Sequence, residues 1–119
     1  MAFWLFLTAM DLLIPAIMVG IGTRFLKHPP KTINALYGYR TARSMKNQET
    51  WDFAHETCGK LWVRLGKLSF LPALLAAVLT FGRGIETVSV ASVVVVTIQT
   101  LALIGSIFPV ERALKRKFG

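Results

Sequence analysis

The side chains best suited to specific chemistry lie in one polar stretch, Asn34 to Trp62, which contains both tyrosines, one of the two histidines and the only cysteine. Asp52, His55 and Cys58 recur at steps of three, and His28 is a fourth candidate metal ligand. Steps of three drift around a helix, and zinc needs a clearer ligand set. A Cys58–His55 dyad lacks a third group to orient it and an oxyanion hole. We therefore expect a non-enzymatic protein with no metal and no cofactor.

Recognition is the other chemistry that this stretch could support. Arg40 offers five donors in a planar fork, which suits a carboxylate or a lipid phosphate. It stands among Tyr37, Tyr39 and Thr41. The alternative is an arginine that folds the loop by bonding backbone carbonyls, with the tyrosines as anchors at the membrane interface. Both interpretations predict an ordered loop, because disordered linkers are poor in aromatic residues.

The composition places the polar stretch in a membrane protein. The chain has 119 residues, of which 54% are hydrophobic and only 17% charged, and its formal net charge is +8. Lysines and arginines cluster beside apolar segments of spanning length, which is typical of membrane proteins and argues against nucleic-acid binding. We predict an all-α polytopic protein with one membrane domain over 1–119, spans at about 2–23, 61–81 and 88–110, and a structured cytoplasmic loop over 24–60.

The first span is interpreted as a retained helix and not as a cleaved signal peptide, because it has no basic region at its start and contains Asp11. A carboxylate near mid-membrane costs several kcal/mol unless it is protonated, paired or hydrated. Gln99 lies at a similar depth in the third span. Asp11 is therefore either hydrogen-bonded to Gln99 or an arginine in a structural role, or it is functional, as the coupling acid of a small oligomeric ion- or proton-coupled transporter or channel. A homo-oligomer would use small residues spaced by four: Ala73, Ala77, Ala102 and Ser106.

The end of the loop predicts a long helix. Asn47 is a good N-cap, and apolar residues then recur at steps of three and four: Trp51, Ala54, Cys58, Leu61, Trp62 and Leu65. No breaker separates this stretch from the apolar segment that begins at Leu61, so we predict one amphipathic helix that runs unbroken from Asn47 into the second span, where Pro72 could bend it. Trp51 and Trp62 share a face of it, for packing or interface contact or, alternatively, for stacking a ligand. A short helical turn capped by Thr32 is predicted from Thr32 to Tyr37.

The distribution of positive charge predicts the orientation. Seven lysines and arginines lie between Arg24 and Lys60 and four in the C-terminal tail, whereas the turn between the second and third spans has only Arg83. The positive-inside rule then puts the N-terminus outside and both the loop and the C-terminus in the cytoplasm.

The polar stretch also resembles the signature of the SdpI family. The resemblance rests on Asn34, Gly38-Tyr39-Arg40-Thr41, Ser44-Met45-Lys46-Asn47, Trp51, Ala54 and Gly59-Lys60-Leu61-Trp62. It implies a bacterial plasma-membrane immunity protein that protects its host from a secreted peptide toxin and also signals by holding a transcriptional repressor at the membrane. Longer members carry extra N-terminal spans, whereas this chain has the three-span unit. The candidate partner-binding residues are Asn34, Gly38, Tyr39, Arg40, Thr41, Asn47, Trp51 and His55.

Overall fold

The computed structural model describes residues 1–34 and 36–119, and in them it contains helices and no strands. The helices are α1 (Ala2–Lys27), α2 (Gln48–Thr80), α3 (Ile85–Gly105) and α4 (Ile107–Phe118). Three helical segments are long and apolar enough to cross a membrane: α1, α2, and α3 together with α4. The prediction of an all-α protein with three helices of spanning length is therefore confirmed.

Helices α1 and α2 run antiparallel and touch along most of their length. At one end, the Trp4 indole Nε1 donates to the Ala77 carbonyl over 3.0 Å. At the other end, Gly22 faces Gly59 so closely that a Cβ on either residue would lie 2.9 Å from the carbonyl oxygen of the other. These glycines are needed because the two backbones are in contact.

The start of α2 is fixed by a capping box. Asn47 Oδ1 accepts from the Thr50 N–H over 2.9 Å, and Thr50 Oγ1 accepts from the Asn47 N–H over 3.0 Å. The helix continues without interruption from Gln48 to Thr80. This confirms that Asn47 begins a helix that continues into the apolar segment, and the contact with α1 explains why Gly59 lies inside it.

The third apolar segment passes from α3 into α4 at Ser106, whose backbone stays in the helical region (φ −63°, ψ −21°) and whose N–H donates to the Ala102 carbonyl over 2.9 Å. The two helices together form a segment of spanning length, Ile85–Phe118, which contains the predicted span 88–110. Pro109 follows within the first turn of α4, where a missing N–H does not cost a hydrogen bond inside the helix. Helix α4 is amphipathic. Its Val110 and Leu114 are buried against the bundle, while its cations are exposed: Arg112, Lys115, Arg116 and Lys117.

The turn predicted from Thr32 to Tyr37 includes Ala35, which lies outside the described residues. The described residues around it form bends, and Asn34, not Thr32, caps them. Asn34 Oδ1 accepts from the N–H groups of Leu36 and Tyr37 over 2.9 and 2.7 Å. Asparagine often makes such bonds to the backbone that follows it.

The molecule is elongated, with extents of 52 × 24 × 21 Å. The polar loop, the first turns of α2 and all of α4 lie at one end, which we call the loop end. The N-terminus and the short turn at Gly82 lie at the opposite end, called here the turn end. A bilayer core is about 30 Å thick, so a long axis of this size leaves room for one substantial folded region in water.

Candidate functional site

The loop is folded around His55, which is fully buried on α2. Its Nε2 accepts from the Tyr39 N–H over 2.9 Å, and its Nδ1 lies 2.8 Å from the Trp51 carbonyl oxygen. Because Nε2 accepts from an amide, the ring proton must be on Nδ1, which donates to Trp51. The imidazole is therefore neutral, and it also packs edge-on against the Phe25 ring at 4.8 Å.

Trp51 and Gly38 complete the packing around this histidine. The fully buried Trp51 indole donates through Nε1 to the Pro30 carbonyl over 2.7 Å, which ties the start of the loop to α2. Gly38 has φ +122°, and a Cβ there would lie 2.6 Å from His55 Nε2. Glycine is needed at this position both for the backbone conformation and for the space.

Tyr39 connects the loop to the C-terminal helix. Its hydroxyl donates to Glu111 Oε1 over 2.9 Å, and Arg43 Nε lies 3.6 Å from Glu111 Oε2. Burial raises the pKa of the Tyr39 phenol, and the hydrogen bond to Glu111 and its charge raise that pKa further. The phenol therefore stays protonated and acts as a donor, so Tyr39 is a buried link between loop and α4 and not an interface anchor.

A group of hydroxyls closes the remainder of the loop. The buried Ser44 Oγ donates to the Tyr39 carbonyl and accepts from the Thr41 N–H, each over 2.8 Å. Thr50 Oγ1 lies 3.1 Å from the Ser44 carbonyl oxygen, to which it donates. These bonds satisfy backbone groups that no helix or strand ladder would pair.

Arg40 is exposed, whereas Tyr39 before it is buried and Thr41 after it is half-buried. It borders a cavity of about 310 Å³ between the loop and the end of α3, whose other walls are mainly apolar and aromatic: Phe25, Tyr39, Trp62, Leu103, Ile104 and Ile107. Trp62 is held there by a 3.0 Å hydrogen bond from Nε1 to Ser106 Oγ. An apolar cavity with one cation at its border is chemically suited to an anionic amphiphile.

A second polar group lies inside the apolar part of the bundle. We call it the polar centre, and it consists of Asp11, Ser69, Ser92 and Gln99, all buried. Ser92 Oγ donates to Asp11 Oδ1 over 2.6 Å. Gln99 Nε2 donates to the backbone carbonyls of Asp11 and Ser69, over 2.9 and 3.2 Å.

The sequence explains one of these bonds. Pro15 has no N–H, so the Asp11 carbonyl four residues earlier lacks its partner within the helix, and Gln99 supplies the donor. The predicted pairing of Asp11 with Gln99 is thus present through the backbone of Asp11, whereas its carboxylate bonds Ser92.

A family model described as the SdpI/YfhL protein family matches residues 31–110 of the chain, which include the loop, α2 and α3. The chain belongs to the SdpI/YfhL family. The predicted resemblance is confirmed.

The chain is also similar to a curated protein, the uncharacterized protein YfhL of Bacillus subtilis (strain 168), with 40% identity over 50 residues. The match covers 42% of this chain and 46% of the relative, so less than half of the relative's length is represented. No solved structure matches the chain.

The candidate residues of the SdpI/YfhL signature fall into two groups. Most of them build the loop through the contacts described above: Asn34, Gly38, Tyr39, Thr41, Asn47, Trp51 and His55. Arg40 borders the cavity at the surface. Their binding of a partner stays a prediction, and the structure adds Ser44, Thr50 and Glu111 as residues on which the same loop depends.

The residues considered for metal or thiol chemistry have other contacts. Both nitrogens of His55 are hydrogen-bonded within the loop, and Cys58 is fully buried in a cluster with Phe25 and Ala54. Asp52 is exposed and accepts from Gln48 Nε2 over 2.8 Å. In the described part of the chain, no three histidine, cysteine, aspartate or glutamate residues are grouped as metal ligands.

The small residues considered for oligomer contacts are partly used within one chain. Ala73 is fully buried in the bundle, and the Ala77 carbonyl accepts from Trp4. Ser106 is buried and accepts from Trp62. A homo-oligomer would need other surfaces of α2 and α3, and it stays a prediction.

Proposed function

We propose that this multi-pass membrane protein is a non-enzymatic immunity protein of the bacterial plasma membrane, which protects its host from a secreted peptide toxin. The observation that carries the proposal is the family match over residues 31–110, together with the ordered loop in which the shared signature lies. The loop's buried bonds use polar side chains to hold one shape, which is what a recognition surface requires.

We propose further that the protein signals by holding a soluble transcriptional repressor at the membrane, and that the loop end is the cytoplasmic surface for it. The support is charge. Exposed cations of the loop and of α4 lie at the same end, among them Lys46, Lys115 and Arg116. Such a surface suits an acidic patch on a soluble partner, and it agrees with an outside N-terminus under the positive-inside rule.

The test of immunity is survival of a toxin-sensitive bacterium that expresses the chain, challenged with candidate secreted peptides. Expression should raise survival against at least one peptide, and a Gly38→Val variant, whose loop cannot close over His55, should lose the effect at matched membrane levels. Survival equal to that of the empty vector against every peptide would contradict the proposal. Repressor recruitment is measured separately, by the membrane-bound fraction of a tagged candidate with and without toxin.

The polar centre favours a second function, ion- or proton-coupled transport by a small oligomer with Asp11 as the coupling acid. A buried carboxylate at the junction of three helices is typical of transport sites. Reconstituted vesicles would test it. Ion or proton flux that disappears in Asp11→Asn is expected from a transporter, whereas equal flux in vesicles with and without the protein would exclude it.

A further inference from the structure

The polar centre contains an acceptor without a donor. Gln99 is fully buried, and its Oε1 has no hydrogen-bond partner within the described residues. The orientation of the amide is fixed, since Nε2 faces two carbonyl oxygens and a flipped amide would put oxygen against oxygen. Buried polar atoms of this kind are rare and call for a specific explanation.

The same place holds an acid without a cation. The described contacts of Asp11 are with Ser92 at its carboxylate and with Gln99 at its backbone carbonyl, two neutral side chains of α3, and Gln99 Nε2 also donates to the Ser69 carbonyl on α2. The ion pairs of the described residues lie elsewhere, at Arg43–Glu111 and Lys60–Glu56. One hydroxyl donor does not compensate a full negative charge in an apolar bundle.

We propose that the polar centre, which also contains the unpaired Gln99 Oε1, binds one small monovalent cation, a proton or a sodium ion, at the Asp11 carboxyl. Either cation neutralises Asp11. A proton gives the carboxyl an O–H that can donate, and a sodium ion is coordinated by carboxylate, carbonyl and hydroxyl oxygens. A single carboxylate fits a single positive charge. The site is a property of the bundle and requires neither immunity nor transport.

The experiment is thermal unfolding of the purified full-length protein in detergent. Sodium chloride is varied against choline chloride at constant ionic strength, and in a second series pH is varied without sodium. A cation that binds the folded state better than the unfolded state raises the unfolding midpoint. We therefore expect the midpoint to rise with sodium, or as pH falls, relative to a variant that cannot bind the cation.

That variant is Asp11→Asn. Its side chain keeps an oxygen to accept from Ser92 and carries no charge, so it imitates the neutralised site. We expect it to fold, to have a midpoint at least as high as the cation-bound wild type, and to lose the dependence on sodium or pH. The matched control is Glu86→Gln, which removes an exposed acid from the first turn of α3 and should retain the wild-type response.

Each outcome of these unfolding experiments either supports or contradicts the cation site. A midpoint that responds to sodium identifies a sodium site, and one that responds to pH alone identifies a proton site. A wild type that responds to neither, or a response that persists in Asp11→Asn, overturns the proposal. If Asp11→Asn fails to fold, infrared carboxyl bands of the wild type and of Glu86→Gln provide the readout above about pH 6, where exposed carboxyl groups are already ionised. Bands that change neither with sodium nor with pH in this range overturn the proposal equally. Survival assays do not enter this result, so its failure leaves the immunity proposal untouched.

Discussion

His55 positions the loop because one ring nitrogen accepts from Tyr39 while the other donates to Trp51. We predict that His55→Phe, which keeps an aromatic ring but removes both bonds, lowers the free energy of unfolding by about 1–3 kcal/mol, since the Tyr39 N–H is left buried and unpaired. The control is His28→Phe at an exposed position, which should change stability by less than about 0.5 kcal/mol. Chemical unfolding in detergent measures both, and equal losses would contradict the role of His55.

Arg40 is predicted to matter more for function than any other cation of the loop, because its exposed side chain borders the apolar cavity. The substitution Arg40→Lys keeps the positive charge and removes the planar guanidinium, so a carboxylate or phosphate that Arg40 binds through bidentate hydrogen bonds would be bound more weakly.

The measurement for Arg40 is toxin survival or repressor recruitment at matched membrane levels, with Lys27→Ala and Lys115→Ala as comparisons. These two should each remove only about 1 kcal/mol of attraction to anionic lipid. We expect Arg40→Lys to lose the most activity. Wild-type activity in Arg40→Lys would reduce Arg40 to one positive charge among many.

At this scale the sequence indicated which residues form an ordered loop but not what most of them touch. Asn47 as a cap was predictable, because its partner Thr50 is three residues away. The contact of Tyr39 with Glu111 joins residues 72 apart, and the Trp51 bond to Pro30 spans 21. No periodicity in one chain specifies such pairs, since they depend on how the loop crosses α2 and α4.

Among the elements, α1 and α2 depend on a close contact that glycine makes possible. We predict that Gly22→Ala lowers the midpoint of thermal unfolding, because the new methyl would meet the Gly59 carbonyl and the Val63 backbone at 2.9 Å and force the helices apart, a change that costs about 1–3 kcal/mol in packed interiors. Gly20→Ala is the matched control two residues earlier, with nothing within 4 Å of the added Cβ. It should be neutral or stabilising by up to about 1 kcal/mol. A smaller loss for Gly22→Ala than for Gly20→Ala would exclude this contact.

The elements show where sequence periodicity is informative and where it is not. The continuity of α2 into the second span followed from its apolar stripe and from the absence of a strong breaker between Asn47 and Leu61; Pro72 lies further along and does not interrupt the helix. The junction of α3 and α4 at Ser106 was not predicted, although Pro109 lies three residues later and cannot donate to the Gly105 carbonyl. Ser106 also accepts from Trp62 Nε1, a contact between residues 44 apart that periodicity does not indicate.

For the molecule as a whole, the proposed orientation predicts which sites a reagent outside the cell can reach. Native Cys58 cannot report on it, because it is fully buried and would stay unlabelled on either side. In a Cys58→Ala background, a membrane-impermeant maleimide should label Gly84→Cys in intact cells and leave Lys46→Cys unlabelled until the cells are opened. Both introduced positions are exposed, so the reverse pattern would refute the orientation.

The elongated shape has a consequence for any peptide that approaches from the turn end. On that side α2 and α3 are joined only by the short turn around Gly82, and the folded polar loop lies at the opposite end. We expect a peptide that acts on these helices to dissolve first in the lipid and to meet them sideways. Its effective dose would then be set by the number of peptide molecules per lipid, and dilution of the medium would matter less than the membrane area available to absorb it.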